Sequence, residues 1–317
     1  MAGDRDVVVV GGGVVGLTTA ICAAEAGFAV RVWTADPPSR TTSAVAAALL
    51  GPAIGAPDDP LTRWTTASDA VFRHLAEDPT TGIRVGRGRL VSNWGDEPPP
   101  WASSLPGYAA TTVAQRAGFR VGFWVDIPVA DMRIYLDYLV RRLAAAGGRL
   151  VERRVSALTE GLAEAPVVVN CTGVAARELA GDPQVRAVKG QHVIVANPGI
   201  ETFFYEGGAA GGEWTGFFPH GDRVVLGGIA REGDWSMDPD QDASDAIVAR
   251  CAAVEPALAT AQVLGVEVGL RPGRPAPRLD REAVDDGRIV HNYGHGGVGV
   301  SVSWGCAREA LALLHDT

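Results

Sequence analysis

The sequence is poor in lysine, in cysteine and in runs of positive charge. Lys189 is the only lysine, and the 317 residues carry a net charge of −9, so a nucleic-acid partner is not expected. The four cysteines, Cys22, Cys171, Cys251 and Cys306, lie far apart and show no CxxC or Cys/His spacing typical of metal sites. They are expected to be small buried residues in a reducing compartment, which favours the cytoplasm.

No long uninterrupted apolar segment predicts a membrane span. The chain is mostly apolar from Val7 to Val30, but five glycines and Glu25 interrupt this stretch, and no positively charged segment precedes it. The overall composition, with 47% hydrophobic and 21% charged residues, is typical of a globular protein. We therefore expect one large domain, or two that share a core, with no membrane partner.

Buried strands alternate with helices at the start of the chain. Asp6–Val10 and Ala29–Trp33 are predicted strands, and Val14–Ala26 between them is a predicted helix that stops at Gly27. This order is the strand–glycine turn–helix–strand unit of a dinucleotide-binding fold. Further strands are predicted at Ile83–Val91, Arg120–Val125, Arg149–Val155, Pro166–Cys171, His192–Ala196, Glu201–Tyr205, Trp214–Phe218, Arg223–Leu226 and Arg288–Asn292. Further helices are predicted at Leu61–Leu75, Val129–Leu143, Ser244–Val254 and the C-terminus.

The pattern of elements predicts two interleaved domains in an α/β fold. Strand–helix units occupy both ends and the middle of the chain, and antiparallel segments lie between them. A discontinuous Rossmann-like domain is expected to comprise residues 1–52, 129–189 and 265–317. An antiparallel-sheet α+β domain that binds the substrate is expected over residues 53–128 and 190–264.

A glycine motif follows the first predicted strand. Gly11, Gly13 and Gly16 fit the pattern G-x-G-x-x-G. In this pattern the first glycine allows a tight turn, the second lets the backbone approach a diphosphate, and the third permits close helix–strand packing. Asp36 follows the second strand, twenty residues after Gly16, where a carboxylate can accept a ribose hydroxyl. Dinucleotide binding is therefore predicted, with a purely structural glycine turn as the alternative.

A second glycine turn, His291–Ser301, lies between the last predicted strand and the final helix. FAD and NAD share the first motif, but a simple nicotinamide dehydrogenase does not need a second turn of this kind. A flavin does, because its N1–C2=O edge becomes anionic on reduction and N–H groups at a helix start can stabilise that charge. The alternative is a turn that only packs against the first helix. The two turns together favour FAD.

The chain resembles the FAD-dependent D-amino-acid oxidase family in several segments that follow one another over most of its length. The matching segments are Val7–Gly16, Thr41–Leu49, Val169–Gly173, Arg223–Gly228 with Trp235, Gly269–Pro275 and His291–Trp304. The segment around Arg271 and the motif His-Asn-Tyr-Gly-His-Gly-Gly are highly specific. The resemblance implies an FAD-binding domain of the p-hydroxybenzoate hydroxylase type, with FAD bound without a covalent link.

The resemblance also implies roles for individual residues. Arg271 would pair with the substrate carboxylate, which a planar guanidinium can hold through two hydrogen bonds; a structural ion pair is the alternative. The carbonyl of Gly297 would accept from the substrate amine, and no metal ligand is implied. The residues implied to contact FAD are Gly11, Gly13, Val14, Val15, Gly16, Asp36, Thr41, Thr42, Ser43, Ala48, Leu49, Val155, Thr172, Gly173, Gly296, Gly299, Val300 and Ser301.

The expected substrate pocket lacks large side chains that the family usually has. Gly216 stands at the position of a tyrosine, Val298 replaces the tyrosine after the second glycine turn, and Ala53 replaces another aromatic residue. Either the pocket is enlarged for a bulky substrate, or activity on simple amino acids is weak. Candidates on the same predicted sheet to fill the space are Tyr205, Trp214 and His220.

These observations lead to an expected reaction. It is the FAD-dependent oxidative deamination of a D-amino acid, in which a hydride passes from Cα to flavin N5, giving a 2-oxo acid, ammonia and hydrogen peroxide. Orientation and electrostatics would supply most of the catalysis. The alternatives are an oxidase of glycine, of an N-substituted glycine or of a bulky modified amino acid, a catalytically silent flavoprotein, and a nicotinamide-dependent dehydrogenase. The expected partners are the amino acid and oxygen, and a homodimer is a further option.

Overall fold

The structure is a computed structural model that describes residues 5–51, 56–208, 210–284 and 287–315. These residues form six α-helices and fifteen β-strands, numbered in chain order. The helices are α1 (Val14–Glu25), α2 (Pro60–Leu75), α3 (Met132–Ala145), α4 (Ala176–Leu179), α5 (Gln241–Val254) and α6 (Gly299–Ala312). The strands are β1 (Asp6–Val10), β2 (Ala29–Thr34), β3 (Ile83–Ser92), β4 (Ala109–Ala110), β5 (Val121–Ala130), β6 (Arg149–Glu152), β7 (Val167–Asn170), β8 (Arg186–Ala196), β9 (Phe203–Glu206), β10 (Glu213–His220), β11 (Arg223–Ile229), β12 (Arg231–Glu232), β13 (Val263–Gly273), β14 (Arg278–Val284) and β15 (Gly287–Tyr293).

A six-stranded sheet is built around β1. Its strand order is β14-β15-β7-β1-β2-β6, and all neighbours are parallel except β14 and β15. Val7, Val8 and Val9 in β1 are fully buried and belong to two cores, one on each face of the sheet. A central parallel strand covered on both faces needs such a continuous apolar run. The predicted strand Asp6–Val10 is confirmed, and the predicted helix after it is α1.

A nine-stranded sheet forms the second layer. Eight strands follow the order β12-β8-β11-β10-β9-β3-β5-β4, and β13 pairs antiparallel with β8 beside that path. No strand is predicted from the sequence between Val254 and Arg288, although β13 and β14 lie there. Glycine and proline in β13 (Gly265, Gly269, Pro272 and Gly273) obscure the strand pattern, because both residue types are disfavoured in strand interiors.

Helix α3 begins later than predicted. The prediction starts it at Val129, but β5 continues to Ala130, and Val129 pairs with Arg84 of β3. Asp131 then caps the helix by accepting a hydrogen bond from the backbone N–H of Arg133 at 3.2 Å. The prediction was wrong at this boundary because the apolar pattern of the buried strand end continues into the buried face of the helix.

The two sheets divide the chain close to the expected domain boundaries. The six-stranded sheet takes its strands from residues 6–34, 149–170 and 278–293, and the nine-stranded sheet from residues 83–130, 186–232 and 263–273. Residues 129–130, 186–189 and 265–273, which the prediction places in the cofactor domain, are therefore strand residues of the second sheet. The division into two domains itself stays a prediction. None of the described helices has both the length and the apolar character needed to cross a membrane.

Helix α6 is held against α2 by direct contact between the two backbones. A Cβ atom on Gly305 would lie 2.3 Å from the Cα and 2.3 Å from the carbonyl oxygen of Trp64. Ser68 Oγ accepts the backbone N–H of Gly305 at 2.9 Å, and the Trp64 indole N–H donates to Glu309 at 2.7 Å. These contacts fix α6 and, with it, the glycine turn that precedes the helix.

We expect Gly305→Ala to destabilise the fold by roughly 1–3 kcal/mol, because an added methyl group overpacks the α2–α6 contact. Urea denaturation followed by circular dichroism measures the change in the free energy of unfolding. Gly265→Ala is the matched control, since no atom lies within 4 Å of a Cβ added there. Equal stability of the two variants would contradict the tight contact.

Candidate active site

A cavity of about 570 Å³ lies where the two sheets meet. The segments after β1, β2, β7 and β15 line it from the six-stranded sheet, and Gly190, His192 and residues 269–272 line it from the nine-stranded sheet. Ligands of parallel α/β sheets characteristically bind at the carboxyl ends of the strands. The cavity is therefore the candidate site, and both glycine turns border it.

The first glycine turn is sterically restricted to glycine. Gly11 has φ +119°, and a Cβ atom there would lie 2.3 Å from the carbonyl oxygen of Cys171. A Cβ atom on Gly16 would lie 1.8 Å from the carbonyl oxygen of Gly11. Helix α1 begins directly after the turn, and the N–H of Val14 donates to Ser43 Oγ at 3.0 Å. The positive end of the helix faces the cavity and fits a diphosphate.

One end of the cavity suits a ribose. Asp36 lies just beyond β2, its side chain is more than half exposed, and its Oδ2 is 3.5 Å from Nη2 of Arg154. Val155 lines the cavity beside it, and the Arg153 guanidinium stacks over Trp33 at 3.8 Å from the ring centre. A carboxylate this accessible can accept hydrogen bonds from sugar hydroxyls.

The second glycine turn brings buried polar groups to the cavity without satisfying all of them. His295 is buried, burial lowers its pKa to about 4, and its Nε2 has no hydrogen-bond partner within the described part of the chain. A buried polar atom left without a partner is costly, so the cavity fits a polar ligand such as FAD.

The cavity brings together most of the predicted cofactor residues. Those that line it are Gly11, Gly13, Val14, Val15, Asp36, Thr41, Thr42, Ser43, Val155, Thr172, Gly173, Gly296, Gly299 and Val300. Gly16, Ala48, Leu49 and Ser301 are outside its lining. The carbonyl of Ala48 accepts the N–H of Ala130, Leu49 bridges to Val129, and Ser301 lies in the first turn of α6. The contacts of all eighteen residues with FAD stay predictions.

Arg271 lies at the other end of the cavity. A Cβ atom on Gly190 would be 2.3 Å from its Nη1, and one on Gly297 would be 3.7 Å from its Cδ. Nη1 donates to the carbonyl of Ile229 at 3.2 Å. Burial lowers the pKa of Arg271, and no carboxylate lies within ion-pair distance of it among the described residues. A half-buried cation without an anion is ready to bind one.

The other predicted pocket residues differ in position. Tyr205 and Gly216 face each other across β9 and β10. Val298, in the turn before α6, has 44% of its surface exposed, and Tyr205, Gly216 and Val298 are all outside the lining of the cavity. Ala53 lies outside the described residues. Within those residues, no group of three or more metal-binding side chains could hold a metal ion.

His192 is a cavity residue that the sequence analysis did not predict. Its Nδ1 lies 3.0 Å from the carbonyl of Val45 and must therefore donate, which leaves Nε2 as an acceptor. Burial, with a smaller contribution from Arg271, lowers its pKa to about 4, so the ring is neutral at pH 7. Because Gly190 and His192 are two residues apart in a strand, they share a face. The two-residue spacing is a signal that the sequence contains for His192. The pairing of β8 with β13, which brings His192 close to Arg271, cannot be read from the sequence.

Comparison with known proteins identifies the family. The family model described as FAD dependent oxidoreductase (DAO) matches residues 6–313. The chain belongs to this family. It is 50% identical over 313 residues to a D-amino-acid oxidase of Streptomyces coelicolor, covering 98% of this chain and 97% of that protein. It is 48% identical to a D-amino-acid oxidase of Rubrobacter xylanophilus, covering 96% and 94% of the two chains.

A solved structure gives the same fold at low sequence identity. The glycine oxidase of Geobacillus kaustophilus superposes with a TM-score of 0.81 at 20% identity, covering 98% of this chain and 94% of that one. As a DAO-family oxidoreductase, the chain uses FAD as its cofactor. The cavity lining fits that cofactor, since the first glycine turn would hold a diphosphate and Asp36 a ribose hydroxyl; both roles stay predictions.

We expect Asp36→Asn to weaken FAD binding. A charge-assisted hydrogen bond at this exposed position contributes about 1–1.5 kcal/mol, so the FAD dissociation constant should rise roughly five- to tenfold. Titration of the apoprotein with FAD, followed by flavin fluorescence, measures it. Asp137→Asn, on the exposed face of α3, is the control. An unchanged dissociation constant in Asp36→Asn would place the ribose elsewhere.

Proposed function

We propose that the chain is an FAD-dependent D-amino-acid oxidase that acts on substrates with neutral side chains. The observation that carries this proposal is Arg271, a half-buried guanidinium at the end of the cofactor cavity with no acidic partner in the described structure. The identity to two D-amino-acid oxidases over nearly the whole chain supports the same reaction and the D configuration.

Arg271 suits a single carboxylate. Its planar guanidinium can donate two parallel hydrogen bonds, which fix the position and the orientation of the bound group. The stem of the side chain passes Gly297, whose carbonyl we propose as the acceptor for the substrate amine. Two such anchors hold the amine and the carboxylate of one amino acid, and the Cα–H bond then has a defined direction.

The surroundings of Arg271 favour a neutral side chain. His192 is uncharged at pH 7 because burial lowers its pKa to about 4, and burial also raises the pKa of Tyr205. The other arginines that line the cavity belong to the segments after β2 and β6; they are Arg40, Arg153 and Arg154. Among the residues that the structure describes, a second substrate carboxylate would find no cation beside Arg271, so burying it would be costly.

The protein's contribution is binding and orientation. When bound, FAD supplies the two-electron oxidation by accepting the hydride from Cα and passing the electrons to oxygen, which gives hydrogen peroxide. The carbonyl of Gly297 favours the orientation in which the nitrogen lone pair assists loss of the hydride. Proton removal from Cα then requires no protein base. Hydrolysis of the resulting imine gives the 2-oxo acid and ammonia.

We also propose a cellular compartment and an oligomeric state for the protein. The four cysteines are free thiols, and Cys171, Cys251 and Cys306 are buried, which supports a reducing compartment such as the cytoplasm. A homodimer stays a prediction that the mass in solution, measured by light scattering, tests.

We expect the purified protein to show flavin absorption that neutral D-amino acids bleach without oxygen, whereas L-amino acids and D-aspartate leave it unchanged. Anaerobic spectrophotometry with this panel is the measurement. Bleaching by L-amino acids alone would reverse the stereochemistry, and bleaching by D-aspartate in preference to D-alanine would contradict the neutral side chain.

We expect Arg271→Met to remove about 2–5 kcal/mol of transition-state stabilisation, which lowers kcat/KM roughly 30-fold to several thousand-fold. The FAD content should stay unchanged. Arg271→Lys keeps the charge but cannot donate two parallel hydrogen bonds to one carboxylate, so its decrease in kcat/KM should be smaller than that of Arg271→Met. Steady-state kinetics and the flavin-to-protein absorbance ratio measure both effects. Loss of FAD from Arg271→Met would make the arginine structural.

A further inference from the structure

One face of the nine-stranded sheet meets the cavity beside Arg271, at Gly190 and His192. Tyr205, Gly216, Gly227 and His192 lie directly opposite one another across β9, β10, β11 and β8. Residues paired in this way project from the same face of a sheet. Gly190, two residues before His192, shares that face and is the glycine over which the Arg271 guanidinium passes. The two glycines in the middle of the row, Gly216 and Gly227, leave space above the sheet.

The indole of Trp214 fills that space. A Cβ atom on Gly216 would lie 2.7 Å from its Cζ3, and one on Gly227 would lie 2.0 Å from its Cη2. A Cβ atom on Gly228 would lie 2.7 Å from its Cζ2. The ring therefore rests on the backbone of three glycines, and any side chain at those positions would displace it.

The same indole borders the groups around Arg271. Its ring meets His192 edge-on at 5.8 Å and Tyr205 at 5.5 Å between ring centres. The Arg271 guanidinium donates to the carbonyl of Ile229, the residue after Gly228. The guanidinium and the indole therefore contact consecutive residues of β11. The indole is outside the lining of the cavity, but through His192, which does line it, the indole borders the space beside Arg271.

We propose that Trp214, seated on Gly216, Gly227 and Gly228, forms the side-chain wall of the substrate site and restricts it to D-amino acids of small or medium size. This inference rests on the proposed function. Gly216 stands where the family usually has a tyrosine, but the space is occupied by a residue two positions earlier on the same strand. The substrate site is therefore not enlarged at this position.

The activity on substrates of different size tests whether Trp214 restricts the substrate site. We expect Trp214→Ala to raise the ratio of kcat/KM for D-tryptophan to kcat/KM for D-alanine by at least about tenfold, since changes in the size of an apolar pocket have effects of this order. Trp235→Ala, at a residue with 46% of its surface exposed, should leave the ratio unchanged. An unchanged ratio in Trp214→Ala with normal FAD content would overturn the inference.

A second variant tests the inference even if Trp214→Ala does not fold. Gly216→Ala adds one methyl group beneath the indole and should push the ring into the substrate site, which shifts the ratio in the opposite direction. In the double variant the indole is absent, so the ratio should equal that of Trp214→Ala. Independent shifts from the two substitutions would show that Gly216 and Trp214 do not act together.

Ligand binding gives a readout that does not depend on turnover. The dissociation constants of 1-naphthoate and acetate are measured from the change in flavin absorption of the holoenzyme. In Trp214→Ala, 1-naphthoate should bind more tightly relative to acetate than it does in the wild type. If the wild-type protein oxidises no amino acid, the proposed function fails and this inference fails with it. If the wild type oxidises D-alanine but neither the kinetic ratio nor the binding ratio moves in Trp214→Ala, only the inference fails.

Discussion

The pairing of β13 with β8 is the constraint on which the site depends. Gly269 lies opposite Gly190 in this pair. A Cβ atom on Gly269 would be 2.6 Å from Cγ2 of Val45, and one on Gly190 would meet the Arg271 guanidinium. One glycine thus admits the segment that lines the cofactor cavity, and the other admits the arginine. The pairing therefore joins the substrate group of one sheet to the cofactor site of the other.

This arrangement is unfavourable for stability and suited to binding. Arg271 is half-buried and, among the described residues, has a single hydrogen bond, to a carbonyl, whereas Arg274 pairs with Asp182 at 2.9 Å three residues later. A cation removed from water without an anion destabilises the fold. The same lack of an anionic partner favours binding of a substrate carboxylate, since burial has already removed part of the hydration of the guanidinium. Residues that break structural rules are often found at functional sites for this reason.

The sequence predicts the first strand–helix unit and its glycine turn well because their signals are local. Four valines before Gly11 and a helix that starts at Val14 suffice, and the structure confirms both elements. Most of the predicted cofactor residues line one cavity for the same reason, since each segment carries its own motif. By contrast, the start of α3 and the strand β13 depend on tertiary packing, and neither is predicted from the sequence.

The substrate wall shows why a single missing residue is hard to interpret from a sequence. Gly216 in place of a tyrosine predicts an empty space only if its neighbours keep their ordinary positions. The pairing of β10 with β11 shifts register between Glu213 and Gly216, and such an irregularity changes the direction of nearby side chains. Trp214 can then lie across Gly216 instead of standing beside it. The size of the substrate site therefore follows from the register of two strands, which the composition of neither strand reveals.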